Sequence, residues 1–228
     1  VLEMLGGDEG ILDLGCGNGW FARKLAERGH RGTYLGVDFS LPLLREAESF
    51  AAGFSAKFME VDLTKLSAFS GQLSAAGHWS LITAFATLHH IPSREIRIGV
   101  LKTVRQLLKP NGLFIHSNWQ FLNSEKFKAR IQPWEAAAID GSEVDAGDYL
   151  LDWRNGGKGL RYVHHFDEAE LSELAQATGR CCGGGRQCVV DGLAAHERRM
   201  ALHHRCRGRA VALSARLPAR QCLTDESA

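Results

Sequence analysis

The chain has 228 residues, 45% of them hydrophobic, and 27 Lys and Arg against 26 Asp and Glu give a formal net charge of +1. That apolar content suffices for one substantial core, and no apolar run approaches the roughly twenty residues of a membrane-spanning helix, which excludes that class. The near-neutral charge hides a split, because residues 1–179 carry 18 basic and 22 acidic side chains and residues 180–228 carry 9 and 4; the acidic main body lacks the basic footprint of an independent nucleic-acid binder.

No basic stretch followed by an apolar core opens the chain, so no secretory signal is expected and the default location is the cytoplasm. Only ten residues precede the first predicted strand. That leaves little room for a helix over a ligand, and a truncated front is expected.

Residues 11–19 read Ile-Leu-Asp-Leu-Gly-Cys-Gly-Asn-Gly, a buried strand opening into alternating glycines. Gly15, Gly17 and Gly19 suit a strand-to-helix turn in which backbone takes positive φ or meets a ligand directly. A dinucleotide fingerprint requires glycine where Trp20 stands, and Asp13 sets a negative charge where a pyrophosphate would lie. S-adenosylmethionine carries an ammonium and a sulfonium, so the same carboxylate attracts it. The loop residues Asp13, Gly15, Cys16, Gly17, Asn18 and Gly19 are therefore expected to bind S-adenosylmethionine.

The second predicted strand, Thr33–Val37, ends at Asp38, about twenty residues past the loop, where ribose hydroxyls lie in such folds. A third, Ala56–Val61, ends at Asp62, expected to accept from the adenine amine while Leu63 packs on the ring. Trp79–Phe85 reads as a fourth strand, with Ala84 joining the cofactor set at its end. His89 and His90 follow it at the same edge, within reach of the transferred methyl or the acceptor, with a structural spacer role as the alternative. Arg94–Leu108 is an amphipathic helix through Ile96, Val100, Val104 and Leu107, broken by Lys109-Pro-Asn-Gly112 before a fifth strand at Leu113–Ser117. Strands alternating with helices predict an α/β fold: a Rossmann-like, doubly wound, largely parallel sheet with ligands at its carboxyl edge.

A helix is expected over Asn123–Ile131. The long segment about 119–165 exceeds an ordinary connection and reads as a substrate-side insertion. Asp167–Thr178 forms a further helix, with Asp167 and Glu170 as a capping-box-like start. After Gly179 the pattern collapses into an Arg- and Cys-rich stretch with strand hints only at Gln187–Val190 and Ala210–Leu213. The domain is accordingly placed at 1–179, and 180–228 is an atypical tail, frame-shifted or disordered, in which the last sheet strands are missing. A metal site from Cys181, Cys182, Cys188, Cys206, His203 and His204 lacks paired C-x-x-C spacing, so no metal is assigned. A basic RNA-binding tail through Arg198, Arg199, Arg205, Arg207 and Arg209 is the other reading.

Across residues 10–118 the chain resembles the class I S-adenosylmethionine-dependent methyltransferases, through Asp-Leu-Gly-Cys-Gly-Asn-Gly at 13–19, Gly-Val-Asp at 36–38 and Leu-His-His-Ile at 88–91. Asn118-Trp119, Pro133-Trp134 and Arg161-Tyr162-Val-His164 resemble the branch that esterifies 5-carboxymethyluridine at the tRNA wobble position. The resemblance implies tRNA as partner and a small zinc-binding activator protein. Arg161 is then expected to hold the acceptor carboxylate, Tyr162 and His164 to shape its pocket, and His89, Asn118, Trp119 and Trp134 to contact the substrate. A small-molecule O- or N-methyltransferase and a non-catalytic, defective cofactor-binding fragment are the alternatives.

Overall fold

Unbroken apolar runs make the central strands, because helices cover both of their faces. The structure, a computed structural model, describes residues 1–50, 55–153, 159–178 and 212–216. Ile11–Leu14 (β1) is buried throughout and leads through the glycine loop into Trp20–Glu27 (α1). Tyr34–Asp38 (β2), again fully buried, is followed by Leu41–Ser49 (α2) and Ala56–Glu60 (β3). Ser70–Ala76 (α3), Trp79–Phe85 (β4), Arg94–Leu107 (α4) and Leu108–Ser117 (β5) complete the parallel part.

The sheet order is β3-β2-β1-β4-β5, all neighbours parallel, so the order reverses at β1, which pairs with β2 on one side and β4 on the other. Such a switch point opens a crevice beyond the carboxyl ends of its two strands. Here that crevice lies between the loop after β1 and the segment after β4. Ile11, Tyr34, Leu81 and Ile115 pack with Phe21, Ala22 and Leu25 of α1 on one face. Leu12, Leu14, Val37, Ile82 and Ala84 pack with Val100 and Val104 of α4 on the other.

Three expectations need correction. The fifth strand begins at Leu108, because extended backbone there pairs with Trp79, and the register shifts between Trp79 and Leu81 before regular pairing resumes. The helix expected over Asn123–Ile131 is a single turn, Glu125–Lys128 (α5). Ile131–Gln132 (β6) is drawn into an antiparallel sheet with Asp148–Trp153 (β7) and Gly159–His164 (β8). Arg130 anchors this change, its Nε donating to Asp152 Oδ1 at 2.8 Å. The tail also supplies a sheet strand: after Glu168–Ala177 (α6), Ala212–Arg216 (β9) runs antiparallel to β5, from Leu113 opposite Arg216 to Ser117 opposite Ala212. It overlaps the hint at Ala210–Leu213. Gln187–Val190 and the cysteine and arginine groups of the tail lie outside the described residues.

Candidate active site

Gly15, Gly17 and Gly19 all take positive φ, at 70°, 54° and 72°. The reasons differ. A Cβ on Gly15 would lie 2.4 Å from Thr87 Oγ1, so Gly15 is bare where the segment after β4 crosses the end of β1. Thr87 fixes that crossing by donating to the Leu14 carbonyl at 3.1 Å. A Cβ on Gly17 would meet nothing within 4 Å, so open space stands in front of the loop.

The loop amides turn away from that space. Gly15 N and Cys16 N both donate to the Val37 carbonyl, at 2.7 and 3.0 Å, and Gly17 N donates to Asp38 Oδ2 at 2.9 Å. A phosphate-binding loop presents such amides to its anion; these three are engaged by the end of β2. Asp38 is buried, and its other oxygen accepts from Ser40 N at 2.9 Å. Asn18 ties the loop to α2, Nδ2 donating to Glu46 Oε1 at 2.9 Å. Two buried carboxylates, Asp13 and Asp38, make the field beside the loop negative, which fits a cationic sulfonium donor and opposes a pyrophosphate.

Asp13 acts from behind the loop. Its oxygens accept from Tyr34 Oη at 2.6 Å and Thr83 Oγ1 at 2.7 Å, within the sheet face covered by α1. Burial raises its pKa to about 6, against the lowering effect of those two hydroxyls. Asp62 Oδ1 caps the following turn, accepting from Thr64 N at 3.0 Å and Thr64 Oγ1 at 2.7 Å, and the side chain stays partly exposed at the end of β3. Leu63 is a core residue, and Ala84 is wholly enclosed within β4, so the backbone that reaches the rim is Ala86, held at φ 52°. Cys16 is buried with its thiol against Gly36.

On the acceptor side, four expected residues converge. His89, fully buried, stacks on Trp119 with ring centroids 5.1 Å apart, and Arg161 Cζ stands 5.9 Å from the centre of the Trp119 ring. The Trp119 amide donates to His89 Nδ1 at 3.3 Å, which assigns the proton of the neutral ring to Nε2. Buried Asn118 bonds His116, Nδ2 to Nδ1 at 3.1 Å, beneath this stack. His90, edge-on to Trp119, donates from Nδ1 to the Tyr162 carbonyl at 3.2 Å. Burial, then His90, holds the pKa of His89 well below its ordinary value, and burial lowers that of His90 to about 4. Both imidazoles are neutral at pH 7 beside the cationic guanidinium.

Tyr162 and His164 do not line this pocket. Tyr162 Oη donates to Asp148 Oδ1 at 2.6 Å, and both ring nitrogens of fully buried His164 are taken by Asp148 and Glu170. Alternation along β8 sends Arg161 and Tyr162 to opposite faces. Trp134 approaches the Tyr162 ring at 6.4 Å, outside the His89–Trp119–Arg161 group.

Sequence reading missed Thr87, whose position across the crevice no local pattern announces. It also missed Arg97, buried on α4 and bonded through Nη2 to Asp145 Oδ2 at 3.0 Å. A charged residue three positions before Val100 on the apolar face was the available signal for Arg97.

Among the described residues no helix is long and apolar enough to cross a membrane. Comparison with known proteins agrees with the geometry. A Bacillus subtilis protein named provisionally as a methyltransferase, YqeM, is 29% identical over 114 residues, covering 48% of this chain and 43% of the relative. The ubiquinone biosynthesis O-methyltransferase of Escherichia coli is 26% identical over 114 residues, covering 49% and 44%. The chain thus spans less than half the length of either relative. The crystal structure of an S-adenosylmethionine-dependent methyltransferase from Methanosarcina mazei shares the fold, with a TM-score of 0.64, 20% identity and 96% of each chain covered. The methyltransferase domain family matches residues 3–180, and the chain belongs to that family.

Proposed function

We propose that this protein uses S-adenosylmethionine to esterify the carboxylate of 5-carboxymethyluridine at the tRNA wobble position. The carrying observation is the wall formed by His89, Trp119 and Arg161 at the carboxyl edge of the sheet. A guanidinium suits a carboxylate, and the partly buried indole beside it suits a nucleobase. The bound donor would supply an electrophilic methyl group. Arg161 would hold the acceptor carboxylate, whose oxygen would take the methyl group while the carbon–sulfur electron pair stays on sulfur. An ionised carboxylate needs no base, which accords with two neutral histidines whose Nδ1 atoms already serve the main chain. The Asn-Trp, Pro-Trp and Arg-Tyr-x-His resemblance supports the same reading, with a cytoplasmic setting and a small activator protein as partner.

A second reading, methylation of a small-molecule hydroxyl or amine, is favoured by the likeness to the O-methyltransferase relative. Charge also favours it, since residues 119–165 hold six basic against seven acidic side chains, and Lys128 and Arg130 are paired with Glu125 and Asp152. Methyl incorporation into tRNA bearing 5-carboxymethyluridine, compared with a small-molecule extract, tests both. The tRNA reading expects labelled ester in tRNA and its loss in Arg161→Ala. Label confined to small molecules, or an Arg161→Ala variant with unchanged KM for the modified tRNA, overturns it.

A further inference from the structure

His164 is enclosed, and both of its ring nitrogens meet carboxylate oxygens, Nδ1 at 2.6 Å from Asp148 Oδ1 and Nε2 at 2.7 Å from Glu170 Oε2. A neutral imidazole owns one N–H and satisfies one of these; the imidazolium satisfies both. The backbone is shaped to admit the ring, since a Cβ on Gly147 would lie 3.1 Å from His164 Cε1.

Every packed element contributes a charged or titratable group. Asp148 comes from β7, Glu170 from α6, Tyr162 from β8 and Arg97 from α4; Asp145 pairs with Arg97, and His165 and Asp167 follow in the chain. Burial disfavours the imidazolium and Arg97 repels it, but the hydrogen bonds to Asp148 and Glu170 outweigh both and raise the His164 pKa above its ordinary value. Glu170 was expected to close a capping box. Asp167 Oδ1 does accept from Glu170 N at 2.7 Å, but the Glu170 carboxylate is spent on His164 and Arg97.

The same cluster reaches the acceptor wall through β8. Asp148 Oδ1 also accepts from Tyr162 Oη; the Tyr162 carbonyl receives His90 Nδ1–H; and the preceding residue, Arg161, stands over Trp119. We propose that protonated His164 is a positioning residue, which holds β7, β8 and α6 together, sets Arg161 over Trp119, and releases that wall when it loses its proton. This rests on the reading that the acceptor binds at the wall. A raised folded pKa means the stabilisation is complete below the ordinary pKa of 6.5 and is lost as pH rises through the folded value, so the wall loosens on the alkaline side.

The test follows the His164 ring C–H and the Trp119 indole N–H by NMR on the full chain from pH 6 to 9, without acceptor. The two resonances are expected to share one midpoint. Glu170→Gln keeps the side-chain shape, removes one of two carboxylates, and should lower both midpoints together by about one pH unit. His164→Gln should abolish the Trp119 response over this range. A Trp119 resonance that ignores the His164 titration, or one that still titrates in His164→Gln, overturns the proposal. Because no acceptor is present, failure of methyl transfer to modified tRNA sinks only the substrate reading, whereas uncoupled midpoints sink the positioning role.

Discussion

Tyr34 Oη donates to Asp13 Oδ2 at 2.6 Å, and this bond between two adjacent strands supports a buried negative charge behind the glycine loop. Burial nonetheless places the Asp13 pKa at about 6, above its ordinary 3.8. A raised carboxyl pKa favours the folded state at low pH, and that advantage fades as pH climbs from 3.8 through 6, by about 3 kcal/mol in all. Asp13→Asn should flatten this part of the stability profile, read by denaturant unfolding at pH 4.5 and 7. It should also weaken S-adenosylmethionine binding by calorimetry, because the negative charge behind the glycine loop is gone. An unchanged slope between these pH values would show that Asp13 ionises as an ordinary carboxyl.

Tyr34→Phe removes the stronger of the two supports and leaves the carboxylate with Thr83. The expected cost is about 1–3 kcal/mol at pH 7, falling toward pH 4.5, where Asp13 is protonated. Equal losses at both pH values would assign the effect to packing alone.

Gly17→Ala and Gly15→Ala should separate folding from cofactor binding. At Gly17 no protein atom obstructs a methyl group, so the cost is limited to the positive φ, about 1–2 kcal/mol, while the new methyl group projects into the donor's space. A folded protein with a thermal midpoint insensitive to S-adenosylmethionine is expected. At Gly15 the methyl group strikes Thr87, so unfolding at lower temperature should accompany the loss of binding. Wild-type affinity in Gly17→Ala would place the donor elsewhere.

Asp38→Ala removes the acceptor for both Gly17 N and Ser40 N. We expect at least a tenfold loss of S-adenosylmethionine affinity, with the circular dichroism of the fold retained. A loss confined to stability, with affinity intact, would restrict Asp38 to bracing the loop.

Arg97→Leu should be far more damaging than an ordinary surface substitution. It deprives buried Asp148 and the partly exposed Asp145 and Glu170 of their shared cation, and breaking a pair of this kind costs about 3 kcal/mol, with solvent screening the latter two carboxylates. Urea unfolding measures it, and a loss under 1 kcal/mol would mean that His164 alone balances the cluster.

The local pattern of residues carried the sheet and the position of the glycine loop. The run before Gly15 and the alternation of strands and helices fix which segments are buried, and Asp38 falls at a strand end by spacing alone. Periodicity misled at Asn123–Ile131, where pairing of Ile131 with Leu151 overrides the helical pattern. At Ala212–Arg216 a weak strand signal is stabilised by an available edge on β5.

From its sequence alone this chain was legible as a doubly wound fold with a glycine loop built for a cationic methyl donor, because the alternation of strands with helices and turn chemistry depend on neighbours along the chain. Tertiary structure alone decided that Asp13 stands behind the loop rather than at its face, that Arg161 joins His89 and Trp119, and that Tyr162 and His164 turn into an ion cluster with Arg97. Those assignments depend on which face of a strand meets a partner from far along the sequence, and burial makes each unpaired charge too costly to leave alone.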